Sequence, residues 1–248
     1  MNEFTIKMAG HRISVDAMEM HMSELFAEYL CDETPEISVS TTPEDLDLER
    51  QKSAREDALE GREPRSYPTA YLETIAIQRK ITEALFAHDT LLFHGSVIAV
   101  DGEAFLITAK SGTGKSTHTR LWRELLGDRA VMVNDDKPFL QILEDGVLVH
   151  GSPWNGKHRL GSNISVPLKA ICILERGEKN EIAPISAKEA VMMLMQQSCR
   201  PMDGRKMPKY LELLDGLSRR VAFYRLKCTI DPEAAKLSYE TMSGKLLQ

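Results

Sequence analysis

Nowhere in these 248 residues does an apolar run approach the roughly 18 residues that a membrane-crossing helix needs. The opening MNEFTIKMAGHR likewise lacks the apolar stretch of a signal peptide, so the sequence predicts a cytoplasmic protein with no membrane partner. Excess positive charge is missing too. A formal charge of -6 and a pI near 5.7 argue against a nucleic-acid backbone as main partner, because that requires a net cationic face. Cysteine is sparse: Cys31, Cys172, Cys199 and Cys228 stand apart, with no C-x-x-C spacing and no histidine cluster. Neither a zinc site nor a disulfide framework is suggested, and buried, reduced thiols are expected. Internal repeats and low-complexity tracts are absent. What is present is a balance of 42% hydrophobic and 27% charged residues, which suits one substantial core with a small appendage.

Residues 1–66 read as a small α+β section. They hold an alternating segment, Phe4–Val15, and then a helix with Met18, Met22, Leu25, Phe26 and Tyr29 on one face. The charged stretch Thr42–Arg65 comes next, with Pro43 and Pro64 near its ends; a solvated helix and linker is favoured over a docking surface. Residues 67–248 read as a mixed α/β domain, introduced by an amphipathic helix over Pro68–Ala87. Two apolar strands, Leu91–Val100 and Glu103–Thr108, are joined by Asp101-Gly102, a dipeptide suited to a tight hairpin. A helix over Thr117–Leu126 ends at Gly127, and Ala130–Val133 reads as a short buried strand. Further strands are expected at Val147–Val149, Leu168–Leu174 and Val221–Leu226. Ser186 and Glu189 stand in capping-box spacing at the head of a helix over Ser186–Gln197, whose Met-rich run Val191–Met195 reads as helix core. The last helix runs from Asp231 to Gly244.

The strand ending at Thr108 leads into Ala109-Lys110-Ser111-Gly112-Thr113-Gly114-Lys115-Ser116-Thr117. This matches the phosphate-loop pattern G-x-x-x-x-G-K-[ST] except at its first position, where alanine fits unless positive φ is required. The glycines let backbone N–H groups turn toward phosphate oxygens, and the following helix presents its positive end to the same anion. Ser111, Gly112, Thr113, Gly114, Lys115, Ser116 and Thr117 are therefore the expected nucleotide-binding residues. Lys115 is placed on the β- and γ-phosphates, and the Ser116 hydroxyl on Mg2+. About twenty residues on, Val131-Met132-Val133-Asn134-Asp135-Asp136 is an apolar strand ending in two carboxylates. One can hold the metal while the other accepts a proton from an attacking hydroxyl. A pump ATPase is disfavoured by this spacing and by the lack of an L-S-G-G-Q-like segment.

The order Phe93-His94-Gly95, phosphate loop, Asn134-Asp135-Asp136 resembles the HPr kinase/phosphorylase family, strongly over Leu91–Lys137 and loosely elsewhere. The resemblance implies a mixed-sheet P-loop kinase core of the HPr kinase and phosphoenolpyruvate carboxykinase type, although the carboxykinases are much longer chains. It implies ATP and Mg2+ as cofactors, and a Ser or Thr hydroxyl of a small protein or peptide as acceptor. In that family the histidine lies beside the first aspartate. Carried over, this makes Asp135 the general base, His94 its partner and Asp136 a metal ligand with Ser116, with Lys115 counted among the catalytic groups. It also implies homo-oligomeric assembly and a phosphorylase back-reaction.

The glycine-punctuated segment Gly151–Gly161 departs from that pattern and looks more like divergent HPr-kinase-like proteins found with peptide-modification systems. Two readings of it stand equal. One is a flap that closes over the phosphates and clamps them with Trp154, Lys157 or Arg159. The other is a surface loop that Trp154 anchors to the core. The leading expectation is a Ser/Thr-directed kinase; the alternatives are a non-catalytic ATP-binding regulatory module and a small-molecule kinase.

Overall fold

The alternating segment Phe4–Val15 folds as a hairpin, because Ala9 and Gly10 take φ of 51° and 78° and turn the chain back on itself. In the computed structural model, which describes residues 2–59 and 61–247, the arms of that hairpin are β1 (Asn2–Met8) and β2 (His11–Ala17). They pair antiparallel, and β3 (Ile37–Ser40) adds parallel to β2. The helix expected from Met18 to Tyr29 shrinks to one turn, α1 (Met22–Leu25), and a 3-10 turn over Ala27–Tyr29. Its start is held in another shape by side chains: Asn2 Nδ2 donates to the Met20 carbonyl at 2.6 Å, and Glu73 accepts the N–H groups of Met18 and Glu19.

The charged stretch is mostly helix, α2 (Pro43–Leu59), and it is not simply solvated. It packs on α3 (Thr69–Leu85), where Arg79 donates to Asp45 at 2.8 Å and to Glu49 at 2.5 Å. Glu49 is buried with Arg79 and joins the two helices, whereas Asp57 is buried with Arg62 and Arg65 of the segment that follows α2. The chain divides into two compact units, Met1–Leu85 and Phe86–Gln248. The boundary expected at residue 66 is corrected accordingly. Helix α3, placed by its sequence at the head of the second section, belongs to the first, because Leu72, Ala76, Ile77 and Ile81 are buried on a helix that packs on α2 and β3.

The second unit is a curled mixed sheet with helices on both faces. Its elements are β4 (Thr90–Leu92), β5 (Ser96–Val100), β6 (Glu103–Thr108), α4 (Lys115–Leu126), β7 (Ala130–Asn134), β8 (Phe139–Ile142), β9 (Val147–His150), β10 (Ser165–Arg176), β11 (Glu181–Ile185), α5 (Ala187–Gln197), α6 (Met207–Arg220), β12 (Ala222–Cys228) and α7 (Glu233–Ser243). The β5–β6 hairpin turns at Asp101 and Gly102, φ 52° and 81°, as the dipeptide implies. Strand β10 joins the two halves of the sheet. Residues Ser165–Pro167 pair antiparallel with β9; the strand then pairs parallel with β6 from Leu168 and with β12 from Ala170.

Alternate side chains of these strands enter two separate cores, which is why the strands read as continuous apolar runs. Val97, Leu106, Ile171 and Ile173 face one way, with Leu194 of α5 and Tyr210, Leu213 and Leu217 of α6. Ile98, Phe105, Ile107, Cys172 and Leu174 face the other, with Trp122 of α4 and Tyr239 of α7. On α5 the reading of Val191–Met195 as core holds for Leu194, with Met193 and Met195 partly buried against it, while Val191 and Met192 are exposed. Cys172 and Cys228 are buried; Cys31 and Cys199 are half-buried. Among the described residues no helix is long and apolar enough to cross a membrane.

The buried Glu73 is the most exacting polar group of the first unit, since it accepts from Met18, Glu19 and the Thr41 hydroxyl. Its removal leaves those donors without an acceptor, at about 1–3 kcal/mol for each one left buried. Glu73→Ala is expected to lower the unfolding free energy by about 2–4 kcal/mol in a urea titration read by circular dichroism.

Candidate functional site

Three parallel strands, β6, β10 and β12, end at the same edge of the sheet, and the loops that leave them gather there. This is the edge at which open α/β sheets bind ligands. The first loop, Ala109–Gly114, turns through Gly112 at φ 74° and Gly114 at φ 128°, conformations that a side chain would strain. Ala109 itself is fully buried in the α4 core and has no positive φ, so the alanine costs the loop nothing in conformation. Helix α4 begins at Lys115, directly after the loop, so its first N–H groups point into it. Lys115 folds back with Nζ donating to the Ala109 carbonyl at 3.3 Å. Burial holds its ammonium below the ordinary lysine value, aided by Lys137 and opposed by the charge of Asp136.

The acidic pair ends β7, two strands from β6 in the order β6-β5-β7. Asn134, fully buried, organises the turn after that strand. Its Oδ1 accepts the N–H groups of Asp136 at 2.8 Å and Lys137 at 2.6 Å. Its Nδ2 donates to the Ser152 carbonyl and to Asn155 Oδ1, both at 3.0 Å. One amide thus fixes both the turn that carries the aspartates and the base of the 151–161 loop.

The two aspartates part company in this turn. Asp136 is half-buried, and its Oδ1 lies 3.2 Å from His94 Nε2. Burial opposes its ionisation, yet the hydrogen bond to His94 and the charges of Lys137, His94 and Lys115 carry it below the ordinary carboxylate value. Asp135 is buried and turns the other way. Its Oδ1 accepts the Gly156 N–H at 2.6 Å, and the Leu160 amide adds a second bond. Desolvation outweighs these bonds, and the neighbouring Asp136 charge adds to it, so Asp135 titrates above its ordinary value. The expected pairing of His94 with Asp135 is therefore corrected: His94 stands with the second aspartate. The register requires it, because Gly95 N–H donates to the Asp136 carbonyl at 3.0 Å and brings the two side chains together.

Residues that carry no motif complete the arrangement. His94 Nδ1 lies 2.6 Å from Gln197 Oε1 at the end of α5, and the His94 N–H donates to the Gln197 carbonyl. Arg176, at the end of β10, donates to the carbonyl of Gly112 at 2.6 Å and steadies the loop from outside. Neither has a local sequence signal; the apolar-to-charged change at the end of Leu168–Arg176 is the only hint of Arg176. Ser111 and Ser116 are exposed on the loop and first turn, and Thr113 and Thr117 half-buried.

In the 151–161 segment Trp154 is buried, its ring edge-on to Phe139 with centroids 6.3 Å apart. It anchors the loop, and its expected place in a phosphate clamp is corrected. Lys157, His158 and Arg159 form the exposed tip, with Arg159 at φ 49°. Gly156 passes so close to Asp135 that a Cβ there would meet Oδ2 at 3.1 Å. Among the described residues no three His, Cys, Asp or Glu side chains converge as a metal cage. An exposed hydroxyl and one low-titrating carboxylate suit a cation that takes its other ligands from phosphate and water.

A family model described as SynChlorMet cassette protein ScmC matches residues 69–233. No curated protein matches the chain. Among solved structures, the Hpr(Ser) kinase/phosphatase from Coxiella burnetii aligns with 62% of this chain and 93% of its own, at 12% identity and a TM-score of 0.37. At that distance no residue role is carried across.

This geometry has two measurable consequences. Replacing the buried Asn134 by Leu strands the Asp136 and Lys137 amides and unpins the loop base. Asn134→Leu is expected to cost about 2–4 kcal/mol and to speed tryptic cleavage after Lys157 and Arg159 in the native protein. The aspartates should respond to pH with opposite signs. With its folded pKa raised, Asp135 favours folding below its ordinary value of 3.8, and that contribution is lost as pH rises through the folded value. With its folded pKa lowered, Asp136 favours folding above 3.8 and loses that contribution as pH falls through its folded value. By calorimetry, Asp135→Asn should raise Tm by about 2–4 °C at pH 7 and Asp136→Asn lower it similarly; the first difference should change as pH falls below the raised folded value of Asp135, the second vanish only as pH falls below the lowered folded value of Asp136.

Proposed function

The chain belongs to the SynChlorMet cassette ScmC family, and we propose that it is an ATP- and Mg2+-dependent kinase passing the γ-phosphoryl group to a hydroxyl, that of a Ser or Thr in a small protein or peptide. One observation carries this reading. A glycine-turned loop at a strand-to-helix junction holds its lysine within the field of Asp136, whose carboxylate stays ionised beside His94.

The residues divide the work by their surroundings. The N–H groups of Ser111–Ser116 and the Lys115 ammonium bind the triphosphate. Ser116 and Asp136 would hold the metal, which when bound neutralises charge on the phosphate oxygens. His94, fixed by Gln197, keeps Asp136 aimed and anionic. Asp135, more basic than an ordinary carboxylate, takes the proton from the acceptor hydroxyl. The acceptor oxygen then bonds the γ-phosphorus, the bond to the β–γ bridging oxygen breaks, and ADP leaves. Because Gly156 covers Asp135, this reading requires the 156–160 segment to give way to the acceptor, which gives the exposed tip with Lys157 and Arg159 a place beside the transferred group.

The test is transfer from γ-labelled ATP with Mg2+ into a lysate of the source organism. Asp135→Asn should cut labelling by about 10²–10⁴-fold while leaving ATP affinity within about threefold; Lys115→Met should weaken both. Label appearing equally with the Asp135→Asn protein would remove Asp135 from the role of base. ATP binding with no labelled product would turn the reading to a regulatory module.

A further inference from the structure

The segment between Asn155 and Gly161 is a strap with two fixed ends. Asn155 Oδ1 accepts from Asn134 Nδ2 at 3.0 Å, and Gly161 bridges to Asn134 through the backbone. A Cβ at Gly161 would run into Asn155 Oδ1, so the two ends close on one another. Between them the strap has little of its own to hold it. Its tip, Lys157-His158-Arg159, is exposed, Leu160 is half-buried, and the Arg159 N–H closes the turn on the Gly156 carbonyl at 3.0 Å. What ties the strap down is Asp135, which accepts the Gly156 N–H at 2.6 Å and the Leu160 amide. This closed shape puts Arg159 at φ 49°, a left-handed conformation that a side chain disfavours. The strap is latched by the carboxylate it covers.

The free charge around the latch is of one sign. The negative formal charge of the chain lies in the first unit; in the second, Lys and Arg outnumber Asp and Glu. Lys157 and Arg159 stand on the strap, and Lys137 is half-buried on the turn that carries both aspartates, close enough for its charge to act on Asp136 and Lys115. Among the described residues none of these three cations forms an ion pair. The carboxylates of this edge are committed elsewhere: Asp135 to the strap amides, Asp136 to His94 and Glu175 to Arg225. The triphosphate has its own partners on the loop, Lys115 and the positive end of α4. A cationic rim around a latch that has to open is matched by negative charge arriving with the acceptor.

We propose that the acceptor is an acidic segment of polypeptide, whose Asp or Glu residues beside the hydroxyl pair with Lys137, Lys157 and Arg159 and draw the strap off Asp135. This rests on the kinase reading for the hydroxyl and for Asp135 as base, and adds to it the chemistry of the sequence around that hydroxyl. Each exposed pair is weak alone, but several acting together steer a partner of one sign and repel the other. An acceptor of the wrong charge leaves the latch shut.

Three synthetic peptides of equal length test this on the full chain, with a single serine flanked by Asp, by Ala or by Lys. With γ-labelled ATP and Mg2+, kcat/KM for the Asp-flanked peptide should exceed that for the Ala-flanked one by about 10–100-fold, with the Lys-flanked peptide lower still. The gap should shrink as salt rises from about 0.05 to 0.5 M. The double variant Lys157→Glu, Arg159→Glu, at exposed positions, should reverse the order of the peptides, which a loss of folding cannot do. Binding is read separately, without ATP, by fluorescence anisotropy of labelled peptides that carry Ala in place of the serine. The Asp-flanked peptide should bind tightest and should speed hydrogen exchange at the Gly156 and Leu160 amides. Binding and transfer indifferent to peptide charge would overturn the acidic acceptor and leave the kinase standing. Preferential binding of the Asp-flanked peptide with no transfer to any peptide would overturn the kinase reading, and the acceptor with it, while leaving a surface for acidic peptides. Preferential binding with unchanged exchange at Gly156 and Leu160 would overturn the latch. Failure of every peptide to bind would overturn the surface itself.

Discussion

Strand β10 is the constraint on which the second unit depends. It is twelve residues long, and no shorter strand could do what it does: pair with β9 through its first three residues, then run parallel between β6 and β12. A register shift between Leu168 and Ala170 marks the change of partner, a bulge that bends the strand and lets one sheet curl into two halves. Because β6, β10 and β12 run the same way, the loops after Thr108, Arg176 and Cys228 emerge together. The glycine-turned loop Ala109–Gly114, the arginine that braces it and the cleft beside them are consequences of that parallel trio. Alternate burial in two cores pins its register, since a slip by one residue would exchange Leu106 with Phe105 and Ile171 with Cys172 across the sheet.

At the end of β7 the decisive group is the Asn134 amide. Two adjacent carboxylates on a strand end would ordinarily share one environment, and their repulsion would be met by solvent. Here the side chain of the preceding residue captures the next two backbone amides, which drives the chain into a turn and sends the carboxylates to opposite sides. Asp136 meets His94 and the field of Lys115, whereas Asp135 is left among backbone amides and apolar surface. Two chemically identical groups thereby acquire opposite pKa shifts, the separation that allows one to stay an anion while the other exchanges a proton.

Much of this architecture is legible in the sequence, and the parts that are not have physical causes. The Asp101-Gly102 hairpin, the Ser186 capping box, the strand–loop–helix junction at Ala109–Lys115 and the last helix all stand where local signals place them, because each depends on residues within a few positions of one another. Helix α6 is absent from the expected elements although Tyr210, Leu213, Leu214 and Leu217 have helical spacing, and β8 and β11 are absent because four- or five-residue strands carry too little periodicity. The segment Met18–Tyr29 fails as a helix for a non-local reason: Glu73, more than fifty residues away, claims its first amides. The site shows the same division. Its loop and its acidic pair are visible as motifs, but which aspartate meets His94 depends on the bridge from Gly95 to Asp136 and on Gln197, about a hundred residues from His94.

The second unit also keeps a polar group that folding alone does not favour, the carboxylate of Asp135, whose burial disfavours its charge. Its bonds to the Gly156 and Leu160 amides order the 156–160 segment, yet desolvation outweighs them, so removing the charge should stabilise the fold. A buried carboxylate that costs stability where it stands is the kind of group that functional sites retain.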